Sequence, residues 1–382
     1  MRLRGDWIDA KGAQSILKMF EQAGYKAYFV GGCVRNTLLK HPITDVDMAT
    51  DATPDKTMQL ADQAGLKSIP TGIDHGTVTL VAREQPYEVT TFRKDIKTDG
   101  RRALVQFSKD IVADAQRRDF TMNALYADAN GQVIDPLNGL DDLIKGRLRF
   151  IGNAGARIAE DFLRILRFFR FSAYYANPNH GFDPDALNAI SSHLDGLSSL
   201  SKERIGAEMR KLLSAPDPAP SIATMRAVGV LAQILPGSDN TSLPRVIHLE
   251  SAHNMRIDPI RRLASIGGKD VVSVLRLSKA EAKKLDNLRE HMSSKLGAGE
   301  LGYRFGKDLS HSILLLRAVQ FEAPLDRQDL LEAKIGSTAI FPIKGKDLLK
   351  SYSGEALRKK LLELENRWIA SEFKLSRNDL LI

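Results

Sequence analysis

Cysteine is almost absent from this chain of 382 residues, in which Cys33 is the single example. One thiol excludes an intramolecular disulfide bond and a cysteine-rich zinc site. Cys33 follows two glycines, where a thiol is either reactive or a small buried filler, and we expect the second role.

Long apolar runs are absent as well. Arg164, Arg167 and Arg170 interrupt the longest apolar segment, and the first twelve residues have no hydrophobic signal-peptide core. We therefore expect no membrane contact and a cytoplasmic location.

The first 140 residues lack net charge, because 18 Lys and Arg balance 18 Asp and Glu. The whole excess of +8 lies in the remaining chain, so we expect a polyanion to bind mainly along the C-terminal two thirds. With 43% hydrophobic and 27% charged residues, the composition is that of a globular protein, and the length predicts two or three domains.

The first part of the chain alternates strand and helix patterns. Residues 26–30 predict a short strand, Gly31-Gly32 a turn and residues 34–39 a short helix, before a second strand that carries Asp45 and Asp47. Residues two apart on a strand share a face, so both carboxylates are expected to point the same way.

A second helix is predicted after Thr53, which is a suitable N-cap and precedes Pro54. Residues 77–82 and 87–93 then alternate as the two strands of a hairpin, and Glu88 falls in the second strand.

The remainder of this α/β region is predicted from weaker patterns. Residues 94–103 are charged and predict a mobile loop, residues 117–126 a helix, and residues 132–135 a last short strand.

Beyond Leu140 amphipathic helices replace the strand pattern. The first, predicted over residues 158–174, carries a stripe of Asp161, Arg164, Arg167 and Arg170 at successive spacings of three. Further helices are predicted over residues 202–213, 220–228, 279–295, 310–319 and 354–372.

Asp45 and Asp47 form an Asp-x-Asp pair, which in isolation is usually a turn or a solvated strand edge. Gly31 and Gly32 add a turn that lets backbone N–H groups approach phosphate, and Arg35 follows on the next turn. Glu88 is a candidate third carboxylate, although an exposed strand residue paired with a neighbouring cation is the competing interpretation. Two Mg²⁺ ions between three such carboxylates suit nucleotidyl transfer.

The helical stripe also has two interpretations. A carboxylate at Asp161 that accepts from an exocyclic amine, and a guanidinium at Arg164 that donates to a ring nitrogen, would together accept cytosine and adenine and reject uracil and guanine. The alternative is a solvated face of ion pairs at i,i+3 spacing.

Several longer motifs resemble one family in their order along the chain. Gly-Gly-x-Val-Arg at 31–35 with Asp45-Val46-Asp47 resembles the polymerase β-type nucleotidyltransferases, specifically the class II tRNA nucleotidyltransferase (CCA-adding) and bacterial poly(A) polymerase family. Arg-Arg-Asp-Phe-Thr-Met-Asn-Ala at 117–124 is similar to its ribose-binding motif. Residues 135–143 resemble its hinge and residues 160–167 its base-recognition helix.

The resemblance implies an α+β protein with a nucleotidyltransferase head (1–140), a helical neck with the base-recognition helix (141–215) and a helical body and tail that bind tRNA (216–382). It implies that Arg118, Arg167 and Arg170 serve the triphosphate and the pocket walls. Asp119 or Asn123 would then bond the ribose hydroxyls. The metal ligands implied are Asp45, Asp47 and Glu88, and the nucleotide-binding residues implied are Gly31, Gly32, Arg35, Arg118, Asp119, Asn123, Asp161, Arg164, Arg167 and Arg170.

The implied activity is template-independent addition of C, C and A to the 3′ end of tRNA from CTP and ATP, with Mg²⁺ and no obligate protein partner. A poly(A) polymerase or an enzyme that adds only A is the alternative, and a non-catalytic RNA-binding protein on the same scaffold is a third. Residues 71–78 resemble CCA-type sequences, and the loop over residues 93–102 is intact. In this family that loop assists the switch from C to A, so both features favour full CCA addition. The chain has no His-Asp dipeptide, which argues against an appended metal phosphohydrolase domain.

One position departs from the family's pattern. Asn36 stands where the family usually has Asp, which removes a charge beside Arg35 but no metal ligand, so we expect activity to survive.

Overall fold

The computed structural model describes residues 1–99 and 102–382, with side chains described outside 95–104. The chain divides into two compact units, residues 1–234 and residues 235–382. The finer division predicted at residues 140 and 215 stays a prediction. Within the described ranges, no helix combines the length and apolarity that crossing a membrane requires.

The first unit contains a seven-stranded sheet among the described residues. Its strands are β1 (Ala27–Val30), β2 (Asp47–Thr50), β3 (Lys67–Gly72), β4 (Thr77–Ala82), β5 (Gln85–Thr91), β8 (Tyr126–Ala127) and β9 (Val133–Ile134), and a separate ribbon pairs β6 (Arg93–Asp99) with β7 (Arg102–Phe107). The sheet has the order β3-β4-β5-β2-β1-β8-β9, where β2 and β5 are parallel and the other neighbours are antiparallel.

The hairpin predicted around Glu88 is confirmed. Strands β4 and β5 pair from Thr77↔Thr90 to Ala82↔Gln85. Arg83 and Glu84 form the connection with φ of 51° and 66°, the left-handed conformations that a tight two-residue hairpin turn requires.

Helices pack on the sheet and make up the part of the unit that follows it. The helices are α1 (Lys11–Gln22), α2 (Gly32–Leu38), α3 (Pro54–Gln63), α4 (Ile111–Gln116), α5 (Gly139–Lys145), α6 (Ala154–Glu160), α7 (Leu163–Tyr175), α8 (Pro184–Ser191), α9 (Lys202–Leu213), α10 (Ala219–Ala227) and α11 (Val230–Ile234).

The helix predicted after Thr53 is confirmed as α3. The Thr53 side chain accepts from the backbone N–H of Lys56, and Pro54 is the first helical residue.

The loop predicted over residues 94–103 was wrong where the structure describes it. Backbone pairing from Arg93↔Phe107 to Asp99↔Arg102 makes it part of the β6–β7 ribbon. Such pairing uses main-chain hydrogen bonds and needs no apolar side chains, so a charged composition does not exclude it. Residues 100–101 of that prediction lie outside the described residues.

The helix predicted over residues 117–126 was also wrong. Helix α4 ends at Gln116, and only a 3₁₀ turn, Thr121–Asn123, precedes β8. The backbone N–H of Thr121 bonds to the carbonyl of Arg149, and that of Ile151 to the carbonyl of Asp119. These tertiary bonds satisfy groups that a helix would otherwise pair locally.

The helix predicted over residues 158–174 is interrupted at Asp161. This residue ends α6 in an extended conformation, and its Oδ1 accepts from the backbone N–H of Leu163 at 3.1 Å. An aspartate side chain that takes a nearby backbone N–H competes with helix continuation, so α7 begins afresh at Leu163. Asp161 therefore lies at a helix junction, and only the three arginines of the stripe lie on α7.

An aromatic cluster joins the segment after α4 to α7. Phe120 contacts Phe150 and Phe171 at ring-centroid distances of 4.9 and 5.3 Å, and Phe150 stacks on Phe168 at 5.7 Å. Phe120 and Phe168 are fully buried. This packing fixes residues 117–123 against α7, which carries the arginine stripe.

The second unit is helical in its described residues. Its core includes Glu250, 3% exposed, between the guanidinium groups of Arg261 and Arg262 at 2.7 Å each. Its helices are α12 (Leu243–Ala252), α13 (Pro259–Ile266), α14 (Val271–Val274), α15 (Lys279–His291), α16 (Ala298–Phe305), α17 (Lys307–Gln320), α18 (Arg327–Thr338), α19 (Gly354–Ala370) and α20 (Arg377–Leu381).

Candidate active site

Two carboxylates face each other on neighbouring strands of the sheet. Asp47 is the first residue of β2 and pairs in register with Glu88 of β5. Side chains at paired positions of adjacent strands emerge on the same face, so the sheet itself brings these two acids together.

Asp45 does not lie on the strand that was predicted to carry it. Strand β2 starts at Asp47, and Asp45 is exposed in the preceding segment, where its Oδ2 accepts from the Thr44 hydroxyl at 2.9 Å. The prediction that strand geometry aligns both carboxylates was therefore wrong. Among the residues described, no three His, Cys, Asp or Glu side chains converge closely enough to hold a metal ion.

The electrostatics of Asp47 nevertheless suit a cation. Burial and the neighbouring Glu88 raise the pKa of Asp47 to about 6, with Arg118 opposing and Asp45 adding to the rise. Acids that disfavour one another's ionisation are stabilised by a positive ion between them, and carboxylate oxygens are the donors that hard divalent cations prefer. Asp47 and Glu88 thus fit a divalent metal ion, and Asp45 is close enough to add to the rise in the pKa of Asp47.

The Gly31-Gly32 turn lies beside two arginines. Gly31 has a φ of 73°, which favours glycine, and Gly32 begins α2. A Cβ at Gly31 would stand 3.7 Å from Nη1 of Arg118, and one at Gly32 would stand 3.9 Å from Nη2 of Arg35. A backbone turn bordered by two guanidinium groups is suited to phosphate.

Cys33 behaves as the buried filler expected from the sequence. It is 1% exposed, and burial raises the pKa of its thiol to about 12. A protonated, enclosed thiol is a poor nucleophile.

Arg118 is hydrogen-bonded to a buried carboxylate, Asp114, that the sequence did not reveal. Asp114 is fully buried, and its carboxylate accepts from Arg118 at 3.0 Å and from the Tyr126 hydroxyl at 2.7 Å. Burial would raise the pKa of Asp114, but Arg118 and Arg117 lower it to about 2. Asp114 therefore stays ionised and orients Arg118.

Asp119 and Asn123, the candidate ribose contacts, are already hydrogen-bonded to protein groups. Asp119 Oδ1 accepts from Asn123 Nδ2 and from the backbone of Phe120 at 2.9 Å each, while Oδ2 accepts from Arg167 Nε at 2.7 Å. Burial would raise the pKa of Asp119, but Arg167 lowers it to about 2. The Oδ1 of Asn123 also accepts from Arg35.

This network joins the residues beside the Gly31-Gly32 turn to the arginine stripe. Arg35 on α2 contacts Asn123, which contacts Asp119, which contacts Arg167 on α7. The resemblance placed the two ends of this chain of contacts in different motifs, and the structure connects them through buried hydrogen bonds.

Asp161 and Arg164 do not share a partner. Asp161 Oδ2 accepts from Arg204 at 2.7 Å, whereas Arg164 donates to Glu160 at 2.5 Å and to the backbone carbonyl of Arg117 at 3.2 Å. The stripe is thus not a row of mutual ion pairs at i,i+3 spacing. Its members bind groups on other elements.

Helix α9 supplies partners that the sequence analysis did not identify. Arg204 meets Asp161, and four residues later Glu208, 6% exposed, accepts from Arg170 at 2.6 Å. Glu208 stands among Ile205, Met209 and Leu212 on the buried face of α9. A carboxylate on such an apolar helix face is the sequence signal that could have identified Glu208, because a buried acid is normally paired with a cation.

Family models match two segments of the chain. One, described as the poly A polymerase head domain, matches residues 27–149, and the other, a probable RNA and SrmB-binding site of polymerase A, matches residues 181–241.

Curated relatives and solved structures are similar over longer stretches. The mitochondrial CCA tRNA nucleotidyltransferase 1 of Danio rerio is 32% identical, over 97% of this chain and 89% of its own length. The CCA-adding enzyme of Streptococcus pyogenes serotype M1 is 45% identical over 56% of this chain and 52% of that enzyme. The crystal structure of the Bacillus stearothermophilus CCA-adding enzyme in complex with CTP matches with a TM-score of 0.76 at 28% identity, over 95% of this chain and 93% of that one.

The fold, the order of the motifs and the similarity to the Danio rerio relative along nearly the whole chain agree with one another. This chain belongs to the family of CCA-adding tRNA nucleotidyltransferases.

Proposed function

We propose that this protein adds C, C and A to the 3′ end of tRNA, using CTP and ATP and releasing pyrophosphate. The observation that carries the proposal is the register of Asp47 with Glu88 beside a glycine turn bordered by Arg35 and Arg118. Acidic oxygen donors next to a phosphate-binding turn suit nucleotidyl transfer. The relatives named above as CCA-adding enzymes support the substrates.

Family members of this kind are generally metal-dependent, and we propose Mg²⁺ as the metal. Asp47 and Glu88 would hold it, and Asp45 would have to move towards them to become the third ligand. The ion would supply charge stabilisation at the reacting phosphate. The fit rests on the burial of Asp47 and on the neighbouring Glu88, which together raise the pKa of Asp47.

The protein's own groups position the substrates. Arg35 and Arg118 bind and orient the triphosphate over the Gly31-Gly32 turn, so that the terminal ribose hydroxyl of the tRNA can attack in line at the α-phosphate. Asp119 or Asn123 holds the ribose, in exchange for part of its present hydrogen bonding.

We propose that Asp161 and Arg164 select the base. The carboxylate accepts from the exocyclic amine of cytosine or adenine, and the guanidinium donates to the adjacent ring nitrogen. Both side chains must leave their contacts with Arg204 and Glu160 to do so. Arg167 and Arg170 line the pocket and remain held by Asp119 and Glu208.

We also propose that the C-terminal part of the chain, which has the excess of positive charge, binds the sugar-phosphate backbone of tRNA. The head (1–140), neck (141–215) and body with tail (216–382) remain our proposed division. The cytoplasm remains the proposed location, although the Danio rerio relative is named as mitochondrial.

The test is incorporation into tRNA that lacks its 3′ end, supplied with CTP alone, ATP alone or both. Addition of three nucleotides followed by a stop supports CCA addition. A long A tract, or addition of A alone to tRNA that already ends in CC, would select the poly(A) or A-adding alternative. No incorporation under any condition would favour the non-catalytic RNA-binding alternative.

A further inference from the structure

Two arginines share the same two acceptors around the junction of α6 and α7. Arg157 on α6 donates to Glu160 at 2.7 Å and to the backbone carbonyl of Arg117. Arg164 on α7 donates to the same carboxylate at 2.5 Å and to the same carbonyl at 3.2 Å. The two arginine side chains are largely buried, at 11% and 12% exposed. One carboxylate and one carbonyl therefore each have two guanidinium donors.

Arg157 also binds the next residue along the chain. Its Nη2 donates to the backbone carbonyl of Arg118 at 2.9 Å. Helix α4 ends at Gln116, and the carbonyls at the end of a helix have no partner within it. The Arg157 guanidinium therefore stabilises the end of α4, beyond which the Arg118 side chain borders the glycine turn.

A movement of Arg164 towards a base would leave both shared acceptors with Arg157. In the absence of Arg157, the same movement would separate a partly buried carboxylate from a cation and a carbonyl from its donor, and each separation is costly. With Arg157 in place, the carboxylate of Glu160 and the carbonyl of Arg117 each keep one donor. Arg157 therefore lowers the free energy needed to release Arg164 from its present contacts.

We propose that Arg157 is a positioning residue that keeps Glu160 and the end of α4 in place while Arg164 turns to the base. It contacts neither the nucleotide nor the metal, and it acts through Arg164. The inference rests on the proposed function, because it requires that Arg164 selects the base.

The test is calorimetric titration of the full-length protein with CTP, ATP, UTP and inorganic pyrophosphate, in the presence of Mg²⁺ and without tRNA. Arg157→Met is expected to weaken binding of CTP and ATP roughly tenfold, because Glu160 and the Arg117 carbonyl then retain Arg164. UTP and pyrophosphate do not use Arg164, so their affinities should stay within about threefold of wild type. A purely structural loss at the end of α4 would instead act through Arg118 and weaken pyrophosphate as much as CTP.

Further variants show whether the effect passes through Arg164. In an Arg164→Met background, Arg157→Met should change the CTP affinity by less than about twofold, because the effects of coupled residues are not additive. Glu160→Gln should restore part of the CTP affinity of Arg157→Met, since a neutral amide holds Arg164 less strongly than a carboxylate does. Arg157→Lys keeps the charge without the forked geometry, so we expect a loss of about threefold for CTP.

Arg147→Met is the matched control, because Arg147 forms an ion pair with Asp141 at 2.8 Å elsewhere in the same unit. Its affinities for all four ligands should equal those of the wild type. Wild-type CTP affinity in Arg157→Met, an equal loss for CTP and pyrophosphate, or an undiminished loss in the Arg164→Met background would overturn the proposal. If Arg157→Met does not fold, an unchanged ratio of CTP to UTP affinity in Arg157→Lys would overturn it.

Failure of this role can be told from failure of the proposed function. A wild type that binds CTP no more tightly than UTP would overturn base selection by Arg164 together with the role of Arg157. A preference for CTP in the wild type that Arg157→Met retains in full would overturn the role of Arg157 alone. These titrations need no tRNA, so the incorporation test remains independent of them.

Discussion

Asp161 and Arg204 form a hydrogen-bonded ion pair at 2.7 Å between the α6–α7 junction and helix α9. Both side chains are partly exposed, so the pair is close to solvent and weak enough to exchange for another partner. The proposed base-selecting carboxylate is thus kept oriented by a partner that a base can replace.

The first prediction concerns base selection. Asp161→Ala is expected to reduce the preference for C and A over U and G by about tenfold or more, because the acceptor for the exocyclic amine is lost. Arg204→Gln should weaken the same preference less, since it removes only orientation. Incorporation of each of the four nucleotides into truncated tRNA measures both effects.

Lys211→Gln, an exposed change on the same helix, is the control and should leave the preference unchanged. An unaltered preference in Asp161→Ala would mean that the residue only links α6 to α9.

The second prediction concerns the metal site. Asp47→Ala is expected to lower incorporation by roughly a hundredfold or more, and Glu88→Gln to raise the Mg²⁺ concentration needed for half-maximal activity. Both follow from the alignment of these acids on β2 and β5. Rates across a Mg²⁺ titration measure them.

Asp62→Asn, on the exposed surface of α3, removes an acid elsewhere in the same unit and should behave as wild type. A Glu88→Gln variant with an unchanged Mg²⁺ requirement would return Glu88 to the role of an ordinary strand residue.

The third prediction concerns acid stability. Asp114 and Asp119 have pKa values of about 2 in the folded protein, below the ordinary 3.8. A depressed folded pKa contributes stability that is present above the unfolded pKa and is lost as the pH falls towards the folded one. The contribution of these two carboxylates to the melting temperature should therefore be constant near neutral pH and be lost between about pH 5 and pH 2.

Asp114→Asn should lower the melting temperature at pH 7. It should also make the fall of the melting temperature with decreasing pH shallower, because one of the two carboxylates with a lowered pKa is gone. The exposed change Asp62→Asn should leave the decline as it is. A decline of wild-type steepness in Asp114→Asn would show that other groups control acid unfolding.

The fourth prediction concerns close helix packing in the second unit. A Cβ at Gly302 of α16 would stand 1.9 Å from the carbonyl oxygen of Ala333 on α18, and one at Gly336 would stand 2.0 Å from that of Gly299. Gly302→Ala must therefore separate the two helices, at a cost of about 1–3 kcal/mol or more. Thermal unfolding of the full chain measures the loss.

Gly297→Ala is the matched control, because a Cβ there meets nothing within 4 Å and the backbone φ is −68°. Equal melting temperatures for Gly302→Ala and wild type would mean that the helices separate without loss.

Where local signals agreed with tertiary structure, the sequence predicted the elements well. The helix that Thr53 caps and the hairpin around Glu88 follow from hydrogen bonding and alternation within a few residues. The β6–β7 ribbon and the segment after α4 did not follow, because their backbone groups pair with partners that composition and propensity do not reveal.

The candidate site shows the same division. The sequence motifs identified the acids, the glycine turn and the arginines, because each is a chemical group at a fixed spacing along the chain. They did not identify Asp114, Tyr175 or Glu208, whose roles depend on which elements pack against each other.

The sequence by itself determined the family, the α+β class and the residue types that carry the chemistry, since these are properties of local order along the chain. Only the tertiary structure decided that Asp47 meets Glu88 while Asp45 stays outside the strand. It also decided that Asp161 lies at a helix junction beside Arg204, and that the Arg35 guanidinium has neutral partners. The physical reason is that a buried polar group must find its partner in space, and that partner can stand more than a hundred residues away, as Tyr175 does from Arg35.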